Sequence, residues 1–266
     1  MLNRLRTLFG PDSRGPAPAV PDGMRIYAVG DVHGRLDLFE AIIAAIEADD
    51  AASRPAETTV IQLGDLVDRG PDSAGVIAAA RAWGNRRTVR ILLGNHEEMM
   101  LRAIDSDEVM RHFLRWGGRE TILSYLGEPG EYHRADLAGA RALMQAAIPE
   151  EDFDFIRSFE DSIAIGDYLF VHAGVHPDVP LDGQKTSDLR WIREPFLSHR
   201  ESFGAVVVHG HTIADKPQLR HNRIGLDTGA YRSGRLTAMG LQGTARWLIE
   251  AHDNDGTIAV SIRDLA

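Results

Sequence analysis

Apolar residues follow two rhythms along this chain. In the first half, short β-rich runs at Arg25–Val29, Thr58–Leu63 and Thr88–Leu93 each end in a glycine-marked loop and lead into a segment with helical periodicity. Those segments predict helices over Leu36–Ala48, Ser73–Trp83 and Glu97–Ile104, with Pro71 and Asp72 suited to opening the second. Strand, loop and helix in alternation give the rhythm of βαβ units and an α/β class. From Val109 to Phe159 the pattern turns mostly helical, punctuated by Gly117, Gly118, Gly127, Pro129 and Pro149, and predicts an inserted helical cap. Strand signals return at Ser162–Val171, Ala205–Val208, Arg223–Leu226, Leu236–Leu241, Trp247–Ala251 and Thr257–Ile262, so the second half reads as an antiparallel meander. No internal repeat interrupts this order.

Composition narrows the chemistry. The 266 residues, 44% hydrophobic and 26% charged, suit a globular chain with room for a substantial core. A formal net charge of -10, with no long lysine and arginine block, argues against a stable nucleic-acid partner. Lys185 and Lys216 are the only lysines, so the basic charge is almost all arginine, the better two-pronged partner for phosphate. Cysteine is absent, which removes disulfides, thiolate metal sites and cysteine-nucleophile phosphatase chemistry. No apolar run reaches the roughly 18 residues of a membrane span, so a cytoplasmic location without a membrane partner is expected. Met1–Phe9 reads as a frayed helix and residues 1–23 together as a flexible lead-in to a single domain over 24–266.

Metal-compatible side chains recur in the loops that follow the strands, where open α/β sheets collect their functional groups. Asp31 and His33 stand two positions apart in Gly30-Asp31-Val32-His33-Gly34. The run Gly64-Asp65-Leu66-Val67-Asp68-Arg69-Gly70 follows the second strand, and Gly94-Asn95-His96-Glu97 the third. Later come His172-Ala173-Gly174 and Gly210-His211-Thr212. A single aspartate at a strand end is usually a helix cap or turn former. Five such loops in order supply mixed oxygen and nitrogen ligands for two cations. His112, His133, His176, His199, His221 and His252 lack that context, and His209 is either a supporting group behind His211 or the weaker ligand of that pair.

The five blocks together resemble the metallophosphoesterase superfamily, whose pattern is D-x-H, G-D, G-N-H-[ED], H and G-H. The run from Gly64 to Gly70 is similar to the phosphoprotein phosphatase branch, and Gly94–Met100 and His172–Val175 resemble its small bacterial and bacteriophage lambda members. The likeness extends over about residues 25–230 and includes Asp188–Arg193 and Asp227–Ala230. It implies a four-layer αββα sandwich of two mixed sheets flanked by helices, with the helical insertion of about 109–159 near the active site. It further implies that Asp31 and His33 hold one divalent ion, that Asp65 bridges two, and that Asn95, His172 and His211 hold the other. The expected metal is manganese, with iron and zinc as alternatives. A metal-bridging hydroxide would attack a phosphate monoester directly. His96 would protonate the leaving oxygen, Asp68 would hold His96, and Arg69 and Arg193 would clamp the phosphate, with Arg190 and Arg200 as competitors for the second clamp.

Substrates implied by this likeness are phosphoproteins carrying phosphoserine or phosphothreonine, and small phosphoesters. Symmetrical diadenosine tetraphosphate hydrolases share all five blocks and form the competing reading. Their pattern carries a small residue where this chain has Asp68, which favours the phosphatase. A binding module that has kept the fold and lost turnover is the alternative of another class. A nucleotide P-loop is excluded, because Gly183-Gln184-Lys185-Thr186 lacks the upstream glycine and spacing.

Overall fold

The computed structural model describes residues 17–265, so the frayed helix expected at Met1–Phe9 lies outside the described residues. The first half alternates as predicted: β1 (Met24–Val29), α1 (Leu36–Ala52), β2 (Glu57–Gln62), α2 (Ser73–Gly84), β3 (Val89–Ile91) and α3 (Asn95–Ala103). Asp72 caps α2 by accepting from the Gly75 N–H at 2.7 Å, as its position before the helix predicts. Four further α-helices, with short helical turns at Leu114–Gly118 and Tyr132–Arg134 between them, build the insertion: α4 (Asp107–Phe113), α5 (Arg119–Tyr125), α6 (Leu137–Ala147) and α7 (Glu150–Arg157). After them come β4 (Ser162–Ile165), β5 (Tyr168–Val171), α8 (Thr186–Trp191), β6 (Val206–His209), β7 (Gln218–Leu219), β8 (Arg223–Gly225), α9 (Ala230–Ser233), β9 (Arg235–Gln242), β10 (Ala245–Asn254) and β11 (Thr257–Leu265).

The strands form two mixed sheets. One has the order β11-β10-β9-β1-β2-β3 and the other β4-β5-β6-β8-β7. Only β9, β10 and β11 make the antiparallel meander expected of the second half, because β5, β6 and β8 pair in parallel. Long connections after β5 and β6 carry the chain back to the same end of the sheet, and periodicity cannot reveal that return. The run predicted at Ser162–Val171 is a hairpin, with Ile165 opposite Tyr168.

Alternation along each strand divides its side chains between layers. Ile26 and Ala28 of β1, Phe170 of β5, Val208 of β6 and Met239 of β9 fill the space between the two sheets. Tyr27, Val29, Val60 and Ala238 point the other way, into a core shared with α1, α2 and α3. Met110, Phe113, Ile122, Met144 and Phe153 of the insertion join that same core. The insertion is therefore fixed by buried apolar area, at about 1.5–3 kcal/mol for each fully buried large side chain. The outer face of the second sheet packs Leu169, Val171 and Val207 against Leu189, Ile192 and Phe196, which lie on α8 and the segment after it.

The lead-in is anchored before it reaches β1. Val20 is buried and donates its N–H to the Gly243 carbonyl, and Ala19 donates to Asp167, so the segment expected to be loose through Gly23 is held from about residue 18. Among the described residues no helix is long and apolar enough to cross a membrane.

Candidate metal centre

Loops at the C-terminal ends of β1, β2, β3, β5 and β6 converge on one point, since parallel strands of two stacked sheets end there together. The first two loops are stitched by backbone bonds from Val32 and His33 to the Asp65 carbonyl and from Gly34 to the Leu66 carbonyl. His33, Asp65, Asp68, Arg69 and His211 all have positive φ, between 47° and 73°. That region is rare for residues other than glycine, and such backbone is retained where the surrounding structure over-determines it.

Two groups of ligand-capable atoms form, and both contain Asp65. His33, Asp65 and His96 make one; Asp65, His172 and His211 make the other. His33 Nε2 lies 3.5 Å from Asp65 Oδ2, and His172 Nε2 lies 3.4 Å from Asp65 Oδ1, so the two carboxylate oxygens face different imidazoles. His33 donates its Nδ1–H to the Val67 carbonyl at 2.8 Å, and His172 donates to Leu63 at 2.7 Å. Those bonds fix the tautomer and leave each Nε2 lone pair directed into the site, the usual support of a metal-ligating histidine. Asn95 Oδ1 sits 3.0 Å from His172 Nε2 and 2.8 Å from His211 Nδ1. Asp31 accepts from the His211 N–H through Oδ2 at 2.9 Å, while its buried Oδ1 and the buried His211 Nε2 have no partner. A buried carboxylate oxygen and imidazole nitrogen without partners are costly unless a cation takes them.

Electrostatics point the same way. Burial, with Asp227 and Asp65 as negative neighbours, pushes the Asp31 carboxyl well above its ordinary value. Burial would also raise Asp65, but His172, His96, His33 and His211 around it hold it well below the carboxylate range. Burial depresses His33 and His172, and brings His211 down to about 3, which favours the neutral, lone-pair-bearing imidazole that a cation requires. In this structure the Arg69 guanidinium donates to His33 Nε2 at 2.9 Å and to His96 Nε2 at 2.8 Å. It stands in for positive charge at one group.

The residues thus fit a pair of divalent cations. A family model for calcineurin-like phosphoesterases matches residues 24–250. The chain belongs to that family. This calcineurin-like phosphoesterase is 25% identical over 233 residues to the asymmetrical bis(5'-nucleosyl)-tetraphosphatase PrpE of Bacillus velezensis, covering 79% of this chain and 86% of that one. It is 27% identical to serine/threonine-protein phosphatase 1 of Salmonella typhimurium, covering 82% and 92%. It is 42% identical over 190 residues to a symmetrical bis(5'-nucleosyl)-tetraphosphatase of an Acidovorax species, of whose length it spans about half, 52%. A solved cold-active protein tyrosine phosphatase aligns with a TM-score of 0.57 at 20% identity, covering 95% of this chain and 87% of that one.

Membership makes this protein a metal-dependent phosphoric ester hydrolase, so the reading as a binding module without turnover is set aside. His96, which stands in the first of the two groups, donates Nδ1–H to Asp68 Oδ2 at 2.6 Å. Burial pulls His96 down, but the charges of Asp65 and Asp68 outweigh it and raise the imidazole above its ordinary value. A cavity of about 80 Å³ opens over these groups and is lined by Arg69, Asn95, His96, His211, Trp116, Trp191 and Arg193. Arg193 reaches this cavity, whereas Arg190 is engaged with Asp161 at 2.5 Å.

His209 belongs to neither group. β6 ends at His209, and His211 lies beyond Gly210 with φ +63, so the two histidines do not share a strand face.

Several supporting residues escaped the sequence reading. Glu97 is fully buried and accepts from the N–H groups of Gly94, Asp65, Leu66 and Val67, which ties the second loop to the start of α3. Burial and the Asp65 charge push its carboxyl up to about 7. Thr121, on α5, donates to Asp68 Oδ1 at 2.6 Å and accepts from the Asp68 N–H at 2.9 Å. Gly117, φ +111, accepts from the Arg69 N–H, and an added Cβ there would lie 2.6 Å from that nitrogen. Tyr231 lies under the Arg69 guanidinium at 4.9 Å. Glu97 stood in a block already marked, whereas nothing in the local sequence distinguishes Thr121.

Proposed function

We propose that this protein hydrolyses phosphate monoesters, including phosphoserine and phosphothreonine, with two divalent cations held by Asp31, His33, Asp65, Asn95, His172 and His211. Asp65 would be shared by both, and manganese is the proposed metal. When bound, the cations activate water toward the phosphorus and offset charge on the phosphate oxygens. Arg69 would exchange its imidazole contacts for phosphate oxygens as substrate enters, and Arg193, which lines the same cavity, would supply the second clamp. His96 carries the proton for the leaving oxygen. Asp68, held by Thr121, orients that imidazole and favours its protonated form.

The observation that carries this reading is the buried Asp68–His96 pair at 2.6 Å at the edge of two groups that share Asp65, His96 itself standing in the first. An acid held ready in this way matters most for alkoxide leaving groups, such as those of serine and threonine. Likeness to the Salmonella serine/threonine-protein phosphatase supports it. The likeness to bis(5'-nucleosyl)-tetraphosphatases, at 42% identity in one case, supports a second reading in which dinucleoside tetraphosphates are cleaved at the same centre. Parallel turnover of a phosphothreonine peptide, p-nitrophenyl phosphate and diadenosine tetraphosphate with defined manganese separates them. A kcat/KM for the dinucleotide far above that for the peptide overturns the first reading and leaves the metal chemistry intact.

A further inference from the structure

A second cavity, largely apolar with a few polar atoms at its wall, lies on the outer face of the second sheet, away from the catalytic cavity. Its volume is about 280 Å³, and it is lined by Leu197, His209, Thr212, Ala214, Gln218 and Arg223. Register explains the grouping: Val207 pairs with Arg223 and His209 with Gly225, so all four residues share one face of β6 and β8. Gly225 leaves the space open. A Cβ there would lie 3.2 Å from His209 Nε2 and 3.4 Å from the Gln218 side chain.

Three of the lining side chains have a buried polar atom without a partner: Arg223 Nε, His209 Nε2 and Thr212 Oγ1. His209 is 1% exposed and Arg223 6%. Arg223 donates through Nη2 to the Leu197 carbonyl at 2.8 Å, and among the described residues no carboxylate pairs with it. Arg220 and Arg200 add positive charge nearby, Glu194 offsets part of it from outside the cavity, and the guanidinium lies 5.9 Å over the Phe196 ring. A buried guanidinium with no directly paired carboxylate and net positive surroundings is costly, and an anion is the ligand that relieves it. His209 adds a second requirement. Its Nδ1–H donates to the Gly210 carbonyl at 3.0 Å, so in that tautomer Nε2 accepts a hydrogen bond and cannot donate one. The complementary ligand has an anionic oxygen for Arg223 and a hydroxyl for His209, with Thr212 able to serve either.

We propose that this cavity binds orthophosphate, whose ions near neutral pH carry both an anionic oxygen and an O–H, at a site separate from the metal centre. Sulfate has the charge and shape but no hydroxyl near neutral pH.

The test is calorimetric titration of the metal-loaded protein with orthophosphate and, separately, with sulfate. Both are repeated on Arg223→Met and on Gly225→Ala, whose added methyl crowds the His209 acceptor. The site is read as the difference between wild type and Arg223→Met, so phosphate bound at the metal centre cancels. The expected result is a phosphate-binding event that weakens roughly tenfold or more in Arg223→Met, where a hydrogen bond to charge is lost. It should also weaken in Gly225→Ala, and sulfate should bind several-fold more weakly than phosphate. Circular dichroism, and p-nitrophenyl phosphate turnover within about twofold of wild type in phosphate-free buffer, verify that the variants fold. Phosphate isotherms identical between wild type and a folded Arg223→Met overturn the site. Sulfate binding as tightly as phosphate, through Arg223, overturns the hydroxyl requirement and hence the identity of the ligand. Should Arg223→Met fail to fold, an unchanged isotherm in Gly225→Ala overturns the site by itself.

Discussion

Replacing Thr121 by valine removes one hydroxyl and almost nothing else, since the two side chains are nearly the same shape. In the wild type that hydroxyl donates to Asp68 Oδ1 at 2.6 Å, accepts from the Asp68 N–H at 2.9 Å and is bonded to Ser73 Oγ at 3.1 Å. Ser73 Oγ also accepts from this N–H at 3.0 Å, so the amide keeps a partner in the variant. Asp68 Oδ1 does not. A hydrogen bond to a charged group contributes about 1.5–3 kcal/mol, and leaving the carboxylate oxygen unsatisfied in the interior transfers that cost to the folded state. The expected loss of stability is therefore about 2 kcal/mol. Asp68 is also freed to rotate away from His96, and about 2 kcal/mol expressed in the transition state corresponds to roughly 30-fold in rate. That loss should grow with the pKa of the leaving alcohol, because His96 would be the group mis-set. Urea denaturation, metal content, and kcat/KM on p-nitrophenyl and alkyl phosphates measure the three effects, with Thr121→Ser restoring each. Stability within 0.5 kcal/mol of wild type, or a rate loss equal for good and poor leaving groups, would refute the reasoning.

Asp65→Asn should lose both cations and essentially all turnover, with metal content measured by elemental analysis; a variant with full turnover removes Asp65 from the bridging role. His96→Asn is expected to keep metal near the wild-type level while turnover of alkyl phosphates drops about 100-fold or more, and equal loss of metal would reassign His96 as a ligand. In metal-free protein burial lowers His96 while Asp65 and Asp68 raise it above its ordinary value; with cations on Asp65 the Asp68 charge is left to hold the proton, and activity should fall as rising pH removes it. In Asp68→Asn one raising charge is gone, and the alkaline limb of the pH–rate profile should move to lower pH. In metal-free protein, Glu97 has a folded value of about 7 against the ordinary 4.5, so the folded state holds the extra proton between them. Stability is then full below the lower value and declines as pH rises through the higher one, by at most about 3 kcal/mol. Thermal melts of metal-free Glu97→Gln, in which that slope should flatten, test it.

The sequence by itself determined the α/β class, the order of the loops and the identity of the groups they present. Each of these depends on local pattern: short β-rich runs at β1 and β2, helical period in α1 and α2, a glycine before Asp65, Asn95 and His211. It also excluded cysteine chemistry outright. The direction of β5, β6 and β8 lay beyond it, since pairing is settled by where long connections return and by which faces find a core. Thr121 shows the same limit at the site. It stands 53 residues from Asp68, in a helix with no local mark, and meets that carboxylate only because the insertion packs its apolar residues into the core beneath the loop. The separation of His209 from His211 turns on one left-handed residue after the end of β6, and the phosphate cavity on the register of β6 and β8. Local preference is written residue by residue, whereas contact between distant groups is decided by the packing of whole layers.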